Sequence, residues 1–202
     1  MTSRVLVGSA IAAVAACATS ATAAVISFTS LSLWSNYSVT SGNVVVTETF
    51  NGIADGFYAS PFSSSVDGIN WTATANGGLY VNGGQFSTNN PETLTFSVSP
   101  GVQGIGGNLY GTDINFNVVP SIIQVTLNDG SSYIGVQSSA SDFVGFYSTG
   151  AAISSVSISA MPMPGGPAMY PTANNLYFAA VPAPGAIAVL ALAGLGRRRA
   201  RR

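Results

Sequence analysis

Ile123-Gln124-Val125-Thr126-Leu127-Asn128-Asp129-Gly130 and the returning Tyr133-Ile134-Gly135-Val136 decide the fold. Ile123, Val125 and Leu127 alternate with Gln124 and Thr126, which puts three apolar side chains on one face of an extended strand. Asn128-Asp129-Gly130 supplies residues that accept a tight reversal, so Tyr133 to Val136 reads as the partner strand of a hairpin. The same period of two recurs outward from this hairpin. Leu94, Phe96 and Val98 alternate with Thr95 and Ser97. Val156 and Ile158 alternate with Ser155, Ser157 and Ser159, and Leu176 and Phe178 with Asn175 and Tyr177. Asn76-Gly77-Gly78 and Asn82-Gly83-Gly84 mark turns on either side of Leu79-Tyr80-Val81. No long stretch carries an apolar period of 3.6. Short strands at this spacing, without helices between them, predict one all-β domain over residues 24–180: a two-sheet antiparallel sandwich. Met161-Pro162-Met163-Pro164-Gly165-Gly166-Pro167 predicts a long loop before the final strand.

Charge is distributed with equal clarity. Every Lys and Arg of the chain lies near one of its two ends, and there is no His. Between Ala24 and Pro184 the seven acids Glu48, Asp55, Asp67, Glu92, Asp113, Asp129 and Asp142 face no base, a formal charge of −7. Such a body cannot neutralise phosphates, which excludes nucleic acid as a partner. It has no general base of the His kind and no amine, which excludes Ser-His-Asp triads and Schiff-base chemistry. A buried carboxylate must find hydrogen-bond donors or a metal ion.

The two ends read as addresses. Arg4 is the only charge in the first 47 residues, Val5 to Ala16 is an apolar run, and Ala21-Thr22-Ala23 is an A-x-A cleavage site. Residues 1–23 therefore form a signal peptide with a helical apolar segment, cleaved after Ala23 and read by the Sec translocon. Val14-Ala15-Ala16-Cys17 offers an alternative, a lipobox in which Cys17 would carry lipid. At the other end, Val181-Pro182-Ala183-Pro184-Gly185 precedes an apolar run to Leu195 and then Arg197, Arg198, Arg199, Arg201 and Arg202. The prolines break regular structure, and the apolar run forms a short hydrophobic helix. It is shorter than the roughly 20 residues that span a bilayer comfortably, and the arginines hold its end at the cytoplasmic side. These features predict a marginal anchor, suited to holding a chain only briefly.

This three-part tail, residues 181–202, resembles the PEP-CTERM sorting signal, with Ala183 where the signal usually has Glu. The resemblance implies processing by exosortase, a membrane protease-transpeptidase of exopolysaccharide-producing Gram-negative bacteria. A second resemblance rests on Thr47-Glu48-Thr49-Phe50-Asn51-Gly52, Gly107-Asn108-Leu109-Tyr110-Gly111-Thr112-Asp113, Asn128-Asp129-Gly130 and Asn174-Asn175-Leu176-Tyr177-Phe178. These segments look like jelly-roll β-sandwich domains found ahead of such signals. In that pattern an early acid lies beside an Asp-Asn pair opening the last strand, and the site often holds structural Ca²⁺. The resemblance thus implies Glu48, Asn174 and Asn175 as calcium ligands, set against the plain reading of Glu48 as an exposed strand residue and Asn174-Asn175 as a turn. Calcium takes six to eight oxygens, and this set offers a single carboxylate.

Together these readings predict a secreted or cell-surface protein, non-enzymatic, structural or adhesive, in an extracellular polysaccharide matrix or biofilm. The first alternative is a carbohydrate-binding module, with or without calcium, drawing on some of the aromatics Trp34, Tyr37, Phe57, Tyr58, Phe62, Trp71, Tyr80, Tyr110, Tyr133, Tyr147 and Tyr170; most aromatics of a sandwich are core, so none of them is singled out. The second is a hydrolase using two carboxylates. No residue is singled out as catalytic.

Overall fold

The computed structural model describes residues 24–182. Cys17, Ala21 and Ala23 lie outside the described residues, as do Ala183, Pro184, the C-terminal apolar run and the arginines. In chain order the elements are β1 (Val25–Phe28), α1 (Leu31–Thr40), β2 (Val44–Glu48), β3 (Gly56–Tyr58), β4 (Phe62–Val66) and β5 (Ile69–Thr74). Then come β6 (Leu79–Asn82), β7 (Gln85–Thr88), β8 (Leu94–Val98), β9 (Val102–Thr112), β10 (Val118–Val119) and β11 (Ser121–Leu127). β12 (Ser132–Gln137), β13 (Phe143–Ser148), β14 (Ser155–Pro162) and β15 (Tyr170–Ala180) complete the chain.

The strands form two antiparallel sheets. One has nine strands, in the order β1-β13-β9-β15-β7-β6-β3, with β10 added beside β9 and β2 beside β15. The other has six, in the order β12-β11-β14-β8-β5-β4. The all-β sandwich read from the sequence is therefore the fold. The deciding hairpin forms as expected: Val125 pairs with Tyr133 and Gln124 with Ile134. Gly130 takes φ +87° in its turn, and both carboxylate oxygens of Asp129 accept from Ser131, from its N–H at 2.9 Å and its hydroxyl at 3.1 Å. Ile123, Val125, Leu127, Leu94, Phe96, Val156, Ile158, Leu176 and Phe178 are all buried on the inner faces.

The core between the sheets is aromatic at its centre. Phe50, Trp71, Phe86 and Phe96 lie within 5.1–6.1 Å of one another, centroid to centroid, wherever they touch. Five of these pairs are tilted or edge-on and Phe50–Phe96 is stacked, and pairs of this kind add about 0.5–1.5 kcal/mol each beyond burial. In a chain whose described body has no cysteine, such packing takes the place of a disulfide.

Three details differ from the sequence reading. A helix, α1, does stand between β1 and β2. Its apolar stripe is short, because Ser38 occupies a buried position one turn beyond Trp34 and donates its hydroxyl to the Trp34 carbonyl at 2.8 Å. The 3.6-residue signal is correspondingly faint. The helix is held instead by two aromatic side chains, Tyr37, whose ring meets those of Tyr147 at 5.0 Å and Phe28 at 5.6 Å, and Trp34. Trp34 is fully buried on the outer face of the nine-stranded sheet and donates Nε1–H to the Phe146 carbonyl at 2.9 Å. The sheet makes room for it with glycine: a Cβ at Gly145 would stand 2.9 Å from the indole, and one at Gly104 3.1 Å from it.

The second difference lies in β14, which runs to Pro162. Met161 pairs with Ile122 and Pro162 with Ser121, so the predicted loop starts later, at Met163. Proline is tolerated there because it is the last residue of the strand. The third lies in β15, which begins at Tyr170, so Asn174 and Asn175 sit in mid-strand rather than opening it. The register against β9 slips between Ala173 and Asn175, which makes Asn174 the extra residue of a β-bulge.

Candidate functional site

The outer face of the nine-stranded sheet is divided. α1 covers one half, where Trp34 packs with Phe143, Tyr147 and Ala179. The other half is open and holds a cleft of about 430 Å³. Its floor follows from strand register. Tyr80 pairs with Ser87, Ser87 with Thr172, and Tyr170 with Thr112, so these side chains stand on one face. Thr172 is central: its hydroxyl donates to Ser87 Oγ at 2.9 Å and lies 2.9 Å from Thr112 Oγ1. Ser87 donates onward to the Pro171 carbonyl at 3.2 Å. Each of these three hydroxyls is buried and bonded, so the floor is polar and rigid.

One wall comes from the β9–β10 turn. Thr112 pairs with Val118, which leaves residues 113–117 as a loop over the end of the sheet. Asp113 ties that loop together. Its Oδ1 accepts from the N–H of Asn115 at 2.8 Å and of Asn117 at 2.9 Å, and its Oδ2 accepts from Asn117 Nδ2 at 3.0 Å. The side-chain bond from Asn117, aided by the two backbone bonds and opposed by partial desolvation, holds the Asp113 carboxyl below its ordinary range. It is ionised at neutral pH. Inside the loop Phe116 adopts φ +63°, a left-handed conformation costly for a bulky residue. The loop thereby sets the Phe116 ring 5.7 Å from that of Tyr80 at a 45° tilt. Tyr80 is 37% exposed although it lies within a strand. Asn82, Asn89 and Asn115 bring amides to the rim.

The cleft is thus lined by two tilted aromatic rings, an ionised acceptor and several amides, above a floor braced by buried hydroxyls that are bonded to one another. Such a surface can stack the apolar face of a small ring and bond its substituents. Tyr80 and Tyr170 were among the aromatics noted in the sequence. Phe116 was not, and its only local signal is the Asp113-x-Asn115-x-Asn117 spacing of turn-forming residues.

The residues expected from sequence as metal ligands divide between the two faces of the sheet. Glu48 pairs with Leu176, a core residue, so its side chain lies on the inner face. Its Oε1 accepts from the Phe50 N–H at 2.8 Å and its Oε2 from Trp71 Nε1 at 3.0 Å. Glu48 belongs to the nine-stranded sheet and Trp71 to the six-stranded one, so the carboxylate clasps the two together. It also pins Phe50, which is fully buried with φ +57°. Asn174 and Asn175 do come together, on the outer face. Asn175 Nδ2 donates to Asn174 Oδ1 at 3.0 Å and to Asn108 Oδ1 at 3.1 Å, and Asn174 Nδ2 donates to the Ala140 carbonyl at 3.2 Å. Among the described residues no three His, Cys, Asp or Glu side chains converge as a metal-binding group.

Of the sorting residues, Val181 and Pro182 are described. Val181 leaves β15 with its side chain exposed and its N–H bonded to the Gly101 carbonyl at 3.2 Å. Among the described residues no helix is long and apolar enough to cross a membrane. Comparison with protein-family models, with curated proteins and with solved structures finds no match for the chain.

Proposed function

We propose that this chain is an exported, non-enzymatic protein of the cell surface or extracellular polysaccharide matrix, which works by contact rather than by turnover. The observation that carries the reading is the absence of any Lys, Arg or His from residues 24–182, in a body whose cleft is lined by aromatic rings and amides. Acid–base catalysis with two carboxylates needs them a few ångströms apart across one site. Asp113 is the single acid lining the cleft.

Delivery rests on the two ends. The resemblance of residues 1–23 to a signal peptide and of residues 181–202 to a PEP-CTERM signal supports export by the Sec translocon. It likewise supports transient inner-membrane anchoring and processing by exosortase. The sandwich is then a jelly-roll-like domain set ahead of that signal. The exposed Val181 edge, directly after the last strand, suits a cut that frees the body without opening its core. The intact mass of the mature protein from its host tests this reading. A chain beginning at Ala24 and lacking the arginines supports it. A diacylglycerol adduct on Cys17 would replace it with a lipoprotein, and a retained arginine tail with a permanent anchor.

A further inference from the structure

We infer that the cleft between Tyr80 and Phe116 is a subsite for an uncharged sugar unit and discriminates against acidic glycans. The inference rests on the contact reading above and names the chemical class of its ligand. Four observations carry it.

First, neither ring belongs to the buried core: Tyr80 is exposed and Phe116 half-buried. Phe116 is held toward Tyr80 by a left-handed backbone that the Asp113 hydrogen bonds impose. A bulky side chain kept in a costly conformation at the lip of a cleft points to a role for that ring. Second, the two rings meet at 45° and their centroids are 5.7 Å apart. Both residues line the cleft, and Tyr80 keeps 37% of its surface exposed. A pyranose presents an apolar C–H face to such a ring and hydroxyls at its edge. Third, the surrounding groups suit hydroxyls. The Asp113 carboxylate keeps acceptor capacity on Oδ2 beyond its three bonds within the loop, Asn82 and Asn115 line the cleft with amides that donate and accept, and Asn89, whose Nδ2 is engaged with the Gly77 carbonyl at 3.3 Å, adds an amide oxygen. Fourth, no cation balances Asp113 anywhere in the described body, whose formal charge is −7. A uronate or sulfate brought beside Asp113 meets repulsion and finds no partner, whereas a neutral sugar meets neither penalty.

The size agrees: about 430 Å³ lies within the range of small-ligand sites and suits one or two sugar rings. The floor is preset, since its hydroxyls are already bonded to one another, so little ordering opposes binding.

The experiment is calorimetric titration of the processed protein with neutral cello-, xylo- and mannohexaose, and with oligogalacturonate of equal length. Tyr80→Ala removes one ring, and Phe116→Gly removes the other while keeping a residue at ease with φ +63°. The expected result is saturable binding of at least one neutral hexasaccharide, weakened about tenfold by each substitution, with both variants folded at the temperature of the titration. Oligogalacturonate is expected to bind at least tenfold more weakly, and Asp113→Asn to narrow that gap. Neutral binding that survives both ring substitutions overturns the site. Equal binding of the acidic oligomer overturns the selectivity, and so does a gap that Asp113→Asn leaves unchanged. Failure of every oligomer to bind overturns the inference while leaving an adhesive or structural protein in place. Cleavage of an oligomer overturns the contact reading itself.

Discussion

The Glu48 clasp yields the sharpest energetic prediction. Its two oxygens accept from a backbone N–H and from an indole N–H, and both donors belong to residues that are fully or almost fully buried, Phe50 and Trp71. Glu48→Gln keeps the shape but removes the charge and turns an amide NH₂ toward one of the two donors. One charge-assisted bond, worth about 1.5–3 kcal/mol, is lost, and a buried donor is left without an acceptor, at about 1–3 kcal/mol. These overlap, so the expected loss is about 2–4 kcal/mol. For a domain of this size each kcal/mol lowers Tm by roughly 2–4 °C, which gives a fall of about 5–15 °C. Urea unfolding followed by tryptophan emission reads it directly, since Trp71 is half of the clasp. Trp71→Phe removes one donor, and a double-mutant cycle isolates the pair. Coupling of about 1–3 kcal/mol is expected. A loss below about 0.5 kcal/mol for Glu48→Gln, or strictly additive substitutions, would refute the claim that this carboxylate joins the sheets.

Gly145→Ala places a methyl 2.9 Å from the Trp34 indole and 2.6 Å from the Phe143 ring, so it should cost about 1–3 kcal/mol in chemical denaturation and expose the amides of α1 to faster hydrogen exchange. Burial pushes the Tyr110 phenol up to about 12, above the ordinary value near 10. The folded protein therefore holds that proton longer than the unfolded chain, and the stabilisation is fully present below pH 10 and lost between pH 10 and 12. Tyr110→Phe should flatten that alkaline fall in a Tm–pH series. Both Glu48 oxygens are already occupied by N–H donors on the face opposite Asn174 and Asn175. Millimolar calcium or a chelator should accordingly leave Tm unchanged, and a calcium-dependent rise would show that the three residues do assemble around the ion.

Much of the fold was legible because its strands bury one face. Ile123, Val125 and Leu127, or Leu176 and Phe178, can alternate with polar residues only if one side is dry. α1 was not legible, because its docking rests on Tyr37 meeting Tyr147 and on an indole entering a gap paved by glycines, all distant in sequence. Gly104 and Gly145 reveal that gap only once β9 and β13 are side by side. The extent of β15 was hidden by Asn174-Asn175, which looks like a turn and is a bulge within a long strand. The cleft was the least legible part. Its floor hydroxyls come from β7, β9 and β15, and its walls from a turn and a strand, so no single window of sequence carries it. The place of Glu48 was hidden in the same way. The sequence offered it as a calcium ligand or an exposed strand residue, whereas its side chain turns inward and its partners are a backbone N–H just beyond its own strand and an indole of the other sheet.

The account stands on contact without chemistry. Its most direct test incubates the processed protein with the neutral hexasaccharides and measures bound and cleaved fractions in the same sample. Saturable retention of an intact oligomer, abolished together by Tyr80→Ala and Phe116→Gly, is the predicted result. Shortened products that accumulate with time and vanish in Asp113→Asn would contradict it.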